Sequence, residues 1–248
     1  GTILRGAGDG IDSAANTILL GTGNSPAQRD IIQVGNVPGV NWSSAIPGSQ
    51  SIVTSPYIPA GSRSLAVTAP ELYSPGNNVI IRQTSPLPWL ASIDFGATAS
   101  DAPWSAGAID VVYNRYITGV DFEEEKIVLD APIYDHFDRA LAEVEVYALN
   151  RDRIRTNIGI EDLRIEIQTD GAFDEEHARN GIRLIGVEDC WVSGITALHF
   201  IYGAVVTRYA SRVTVRNAQG LAPHAEITGG RRYNFSADAY SNNILFEN

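Results

Sequence analysis

Three stretches in the C-terminal part of the chain repeat one pattern. They are Gly-Ile-Glu-Asp-Leu-Arg-Ile from Gly159, Gly-Val-Glu-Asp-Cys-Trp-Val from Gly186 and Tyr-Ala-Ser-Arg-Val-Thr-Val from Tyr209. A weaker fourth copy runs from Asn242 to Phe246, and the copies recur at intervals of about 27, 23 and 31 residues. Self-similarity at such periods marks units that stack on their neighbours, because one unit cannot bury its own apolar face. Inside each copy apolar residues alternate: Leu163 and Ile165, Cys190 and Val192, Val213 and Val215, Ile244 and Phe246. Period two predicts a strand with one buried face. In this alignment Leu163, Cys190, Val213 and Ile244 are expected to lie over one another as rungs of a β-solenoid.

Each repeat carries a second strand candidate, at Gly181–Ile185, Gly203–Thr207 and Tyr233–Ala237. The opening, Thr2–Gly8 and then Asn16–Gly21, reads as the first coil or two. The middle breaks the rhythm with alternating segments at 64–67, 78–82, 109–113, 126–129 and 142–149, bounded by turn residues. The expected organisation is therefore residues 1–23 as the first coils, 24–150 as an inserted antiparallel β-rich region, and 151–248 as further coils. Asp121–Glu125 reads as a solvated hairpin turn. The chain finishes at Asn248, straight after an apolar strand. Further chain, or another subunit of a homo-oligomer, is expected to cover the last coil.

The formal net charge is −11. Phosphate recognition needs a basic field, so nucleic acid and anionic membrane surfaces are poor partners. No apolar run is long enough for a membrane-spanning helix, so no membrane insertion is expected. The single cysteine, Cys190, forms no intrachain disulfide. It falls on the inward phase of its strand and reads as a small core residue.

The opening Thr2-Ile3-Leu4-Arg5-Gly6-Ala7-Gly8 and coils such as Ser211-Arg212-Val213-Thr214-Val215-Arg216-Asn217 resemble right-handed parallel β-helix proteins of the pectin-lyase-like superfamily. The resemblance spans residues 1–23 and 151–248. It implies an all-β, right-handed parallel β-helix with an inserted antiparallel β-rich region. Superfamily members include polysaccharide lyases, polysaccharide hydrolases, phage tailspikes and surface adhesins. The resemblance thus implies a polysaccharide partner and a secreted or periplasmic location, without choosing the reaction.

If the strands stack, the loops Thr169–Asn180, Thr196–Tyr202 and Gln219–Arg232 emerge on one edge, with adjacent coils about 4.8 Å apart. His177, His199 and His224 fall one per loop, and only His136 lies elsewhere. Histidine is the natural proton-transfer group near neutral pH. A lyase acting on a uronate needs a cation on the carboxylate, a base for the adjacent proton and an acid for the leaving oxygen. The candidates are Arg231 or Arg232 as cation, His224 or His199 as base, and Tyr202 or Tyr233 as acid. His177, Arg179, Glu226 and Trp191 are candidate substrate contacts. Trp191 lies on the outward phase of its strand, where it is either a sugar platform or part of a packed outer layer. A hydrolase would instead need two carboxylates flanking the bond, drawn from Asp174, Glu175, Glu226 and Asp170. No cofactor is expected. Calcium on Asp170, Asp174 and Glu175 stays open, and zinc on the three histidines has no compact motif behind it. A non-catalytic adhesin, spike or fibre component is the competing reading.

Overall fold

The computed structural model of the protein describes residues 1–24, 27–36, 41–97 and 100–248. In chain order the first strands are β1 (Thr2–Gly8), β2 (Ile18–Gly21) and β3 (Asp30–Gly35). Next come β4 (Ser51–Ile52), β5 (Tyr57–Ile58), β6 (Ser64–Ala66), β7 (Asn78–Gln83), β8 (Val111–Asp121), β9 (Lys126–Leu129), β10 (Phe137–Asp138) and β11 (Val144–Tyr147). Helix α1 (Leu87–Ser92) lies between β7 and β8. The last strands are β12 (Arg155–Thr156), β13 (Ile158–Ile167), β14 (Asn180–Ile185), β15 (Val187–Leu198), β16 (Gly203–Arg208), β17 (Ser211–Leu221), β18 (Tyr233–Asp238) and β19 (Asn242–Glu247).

The chain divides into two compact units, Gly1–Val40 with Asp152–Asn248, and Asn41–Arg151. The first unit is a parallel β-helix. One parallel sheet runs β1-β13-β15-β17-β19, with β2 also paired to β13, and the second runs β3-β14-β16-β18. A coil is one long strand of the first sheet, a loop, one strand of the second sheet and a tight turn. The interior between the sheets holds aligned apolar side chains, among them Ile160, Val192 and Val215 from one wall and Ile182 and Val205 from the other. Burying each such side chain contributes roughly 1.5–3 kcal/mol.

The expected rung of Leu163, Cys190, Val213 and Ile244 is half right. Cys190 pairs with Val213, and Val213 with Ile244. Leu163 instead pairs with Ile195. Thr156 pairs with Glu188 and Gly159 with Trp191, which sets Ile158 over Cys190. The two Glu-Asp copies are thus out of register, because they occupy two different corners of the coil. Asp189 has φ of 54° and stacks with Asn157 (57°), Arg212 (51°) and Asn243 (54°). Asp162 has φ of 55° and stacks with Gly194 (63°) and Asn217 (49°), where the long strands bend. Both corners need a left-handed residue, which Asp, Asn and Gly supply most cheaply. The resemblance of the copies reports shared corner chemistry and not a shared rung.

One boundary differs from the expected organisation. Strand β3 pairs in register with β14, so the first coil runs on past residue 24 and the solenoid unit extends to Val40. The second unit enters where other coils make a tight turn, between β3 and β12. It holds an antiparallel sheet ordered β4-β11-β7-β8-β9-β6 and the pair β5–β10. Its core includes Leu65, Val79, Ile81, Ile127 and Ile133. Asp121–Glu125 closes the β8–β9 hairpin, with the Asp121 carboxylate accepting the amides of Glu123 and Glu124. Helix α1 follows Pro86 and carries Pro88 in its first turn, where proline is tolerated.

Candidate functional site

The loops joining the two sheets of the solenoid bring His177, His199 and His224 together. The register Leu198↔Leu221 places the ends of β15 and β17 side by side, and His199 and Ala222 both take left-handed backbone there. The His199 and His224 rings have centroids 4.4 Å apart with planes tilted 31°. His199 Nδ1 faces the Ile167 carbonyl at 3.2 Å. A carbonyl only accepts, so His199 Nδ1 carries a hydrogen. His224 Nδ1 lies 3.3 Å from the Thr169 hydroxyl. Burial lowers the pKa of His224, and the charges of His199, His177 and Arg232 lower it further against the opposing pull of Asp174. His224 is therefore poised as a neutral proton acceptor.

His177 plays a different part. It is 1% exposed. Its Nε2 donates to the His199 carbonyl at 2.7 Å, and its Nδ1 meets the Asp174 carboxylate at 3.0 Å. Both ring nitrogens are engaged inside the loop, so the ring braces the backbone of His199 and presents no free nitrogen to a substrate. Asp174 also accepts the amides of Glu176 and Asp170. Burial works to raise its pKa, but these amides and His177 outweigh it, and Asp174 stays below the usual carboxylate range.

The arginines divide similarly. Arg231 forms a two-point pair with Glu175, one contact through Nη2 at 2.7 Å and the other through Nε. The pair lowers the pKa of Glu175 and raises that of Arg231. Glu175 also accepts the Glu226 amide at 3.2 Å, so the first loop is clamped to the third, while the Glu226 side chain is exposed. Arg232 donates to the carbonyls of Pro223 (3.0 Å) and Ala225 (3.4 Å), which places its charge beside His224. Five N–H donors leave a guanidinium capacity for an anion beyond those two bonds.

The tyrosines lie one coil apart, with rings edge-on at 5.2 Å. Tyr202 donates to both Asp238 oxygens at 3.0 Å, and the Arg179 guanidinium sits 4.7 Å from its ring centre. Burial raises the Tyr202 pKa, and the Asp238 carboxylate adds to this against Ser236. Tyr233 is 44% exposed. Trp191 stands apart, on the outward face of mid-β15. It covers Gly159 and donates to Glu161 at 2.5 Å, and Glu161 also pairs with Arg5. It belongs to a packed outer layer. Cys190 is buried in the core with its pKa raised by burial.

An open pocket of about 230 Å³ lies beside the first loop, lined by Gly23, Asn24, Gln168, Thr169, Asp174 and His177 among others. Among the described residues no three His, Cys, Asp or Glu side chains are grouped to hold a metal ion. The calcium candidates are otherwise engaged, Asp174 by amides and His177 and Glu175 by Arg231. Thr169 and Asp238, which sequence reasoning passed over as partners, become visible only through the stacking.

No family model matches the sequence, and no curated protein matches it either. Solved structures do resemble the fold. The tailspike protein gp49 from Pseudomonas phage LKA1 is 14% identical, with a TM-score of 0.50 over 92% of this chain and 33% of that one. The tailspike gp61 of Pseudomonas phage phi297 is 11% identical (TM-score 0.43, 94% and 37% covered). The Gp54 tailspike of Acinetobacter baumannii bacteriophage AP22, solved in complex with A. baumannii capsular saccharide, is 12% identical (TM-score 0.34, 96% and 39% covered). The chain spans about a third of the length of the first and under two fifths of the others. The protein is a right-handed parallel β-helix with an antiparallel β insertion, and its likeness to gp49 is one of fold. Among the described residues no helix is long and apolar enough to cross a membrane.

Proposed function

We propose that this chain is part of a carbohydrate-binding β-helix protein that cleaves an acidic polysaccharide by elimination along the histidine-bearing loop edge, outside the cell. The observation that carries this reading is the close His199–His224 ring pair, which sets the imidazole of His224, its pKa lowered, beside the Arg232 cation. Arg232 pairs with the uronate carboxylate and acidifies the neighbouring C–H. His224 takes that proton. The C4–O bond breaks as the C4=C5 double bond forms, and the leaving oxygen takes a proton from Tyr233. Tyr233 fits the acid role better than Tyr202, whose hydroxyl is held by Asp238. Arg179 steadies Tyr202, and Glu226 rims the cleft. Hydrolysis is the weaker reading, because Asp174 and Glu175 are already held by amides, His177 and Arg231.

The test is incubation with polygalacturonate, alginate and hyaluronan while following absorbance near ~235 nm, the band of a conjugated uronate. Absorbance should grow with the intact protein and drop about 10²–10⁴-fold in His224→Ala, the range for losing a general base. Reducing ends without the chromophore would overturn elimination in favour of hydrolysis. The self-satisfied pairs Glu175–Arg231, Tyr202–Asp238 and His177–Asp174 favour one alternative, a binding spike without turnover. Retention of a polysaccharide that stays uncleaved would establish it.

A further inference from the structure

The insertion unit carries a set of aromatic side chains that its core leaves in water. Between buried Ile133 and Phe137, the consecutive residues Tyr134, Asp135 and His136 are all exposed, and Tyr134 is 57% exposed. Strand β10 lays this segment beside β5, where Tyr57 is 54% exposed. The Tyr57 and His136 rings stack, with centroids 5.7 Å apart and planes within 28°. Large aromatic rings normally bury their faces, and exposed ones kept in fixed arrays mark binding surfaces.

The array is held rigidly from below. Arg115 is 0% exposed, and it donates to the carbonyls of Ala131 and Pro132 just ahead of Tyr134. Its guanidinium lies 5.2 Å from the Tyr134 ring centre and 4.9 Å from that of Tyr113. The Tyr113 hydroxyl accepts the amides of Tyr134 (3.3 Å) and Asp135 (3.0 Å) and donates to the Asp135 carboxylate (3.3 Å). A buried cation, a buried phenol and two buried flanking residues thus fix the backbone of this exposed segment. Pre-ordering of this kind lowers the entropy lost when a ligand binds.

We infer that Tyr57, His136 and Tyr134 form a saccharide-binding platform separate from the histidine-bearing loop edge, and that it takes neutral pyranose units. Sugar rings lay their C–H faces on aromatic π-faces, and the hydroxyls at their rims need acceptors. Asp135 and Asp138, the latter opposite Tyr57 in the β5–β10 pair, supply them. Two carboxylates repel a uronate, so the platform selects neutral residues, whereas the loop edge selects acidic ones. The inference stands on the insertion unit's own residues and does not need the loop edge to be catalytic.

The test is affinity electrophoresis of the full chain in native gels cast with dextran, galactomannan or polygalacturonate. Retardation is expected in a neutral gel. The Tyr57→Ala/Tyr134→Ala variant should lose it about tenfold or more in apparent affinity, as removal of stacking rings implies. Tyr57→Phe/Tyr134→Phe keeps the rings and should stay retarded, which separates loss of the platform from loss of folding. His224→Ala should migrate as the parent does in the neutral gels, so failure of the loop edge and failure of the platform are told apart. Equal migration of parent and the double alanine variant in both neutral gels overturns the inference, as does retardation confined to polygalacturonate.

Discussion

The imidazoles of His199 and His224 have centroids 4.4 Å apart, with planes tilted 31°, although the two residues are 25 positions apart in the chain. Parallel coils make the contact, since each coil advances the same loop by one strand spacing. The pair sits in a partly buried, cation-flanked place, and this lowers the pKa of His224 through burial first and then through His199, His177 and Arg232.

That shift sets the sign of a pH effect. A histidine with a folded pKa below its ordinary 6.5 is protonated more readily in the unfolded chain. The stability from neutral His224 is complete above that value and is lost as pH falls through the lowered folded one. Urea midpoints measured from about pH 8 down to about pH 5 should fall at the acid end, and His224→Gln should fall less. An identical decline in parent and variant would contradict this assignment.

Removing the brace under the pair should destabilise the fold. His177→Ala leaves the Asp174 carboxylate with only the amides of Glu176 and Asp170, and it removes the ring that donates to the His199 carbonyl from a buried position. Unsatisfied buried groups cost about 1–3 kcal/mol, so a loss of about 2–3 kcal/mol in urea unfolding is expected. The His199 ring resonances should shift in the same variant, because its left-handed backbone loses its support.

The Glu175–Arg231 clamp crosses from the first loop to the third and is partly solvated. Its effect is therefore local. Arg231→Gln should speed amide exchange in residues 223–232 while leaving the global midpoint nearly unchanged. Glu175→Arg with Arg231→Glu should restore slow exchange. The Glu175 carboxyl is lowered first by Arg231, so the clamp holds above the ordinary 4.5 and loosens as pH falls through the folded value.

The stacking register has its own test. Gly159 lies under the Trp191 indole, and a methyl group there meets the ring within contact distance. Gly159→Ala should push the indole outward, red-shift tryptophan emission and cost about 1–3 kcal/mol, the usual penalty of overpacking. The naive alignment, which sets Gly159 over Gly186, predicts no such effect.

Sequence alone carried the class of fold a long way. Period-two alternation in residues 163–165, 190–192 and 213–215 specifies strands with one buried face, and recurrence at coil length requires stacking. The same pattern also placed one histidine in each of three successive loops. It did not carry the register, because Glu161-Asp162 and Glu188-Asp189 look alike while sitting at different corners. A short motif records local backbone demand, and a left-handed corner asks for the same residues wherever it falls. Nor did sequence show that β3 closes the first coil, since that pairing reaches across the whole insertion to β14.

Side-chain roles were decided by tertiary structure for a related reason. His177 and His224 are alike in sequence, one histidine per loop, yet one is sealed between Asp174 and a carbonyl and the other faces a partner ring beside Arg232. Arg231 and Arg232 are adjacent, yet one is matched by Glu175 and the other holds two carbonyls. Residue type and spacing determined which groups reach the edge. Which of them remain available there depends on hydrogen bonds both within a loop, as for His177 with Asp174 and Arg232 with Pro223, and between coils, as for His177 with the His199 carbonyl and Arg231 with Glu175. Only the stacked coils bring the second kind of partner within about 3 Å.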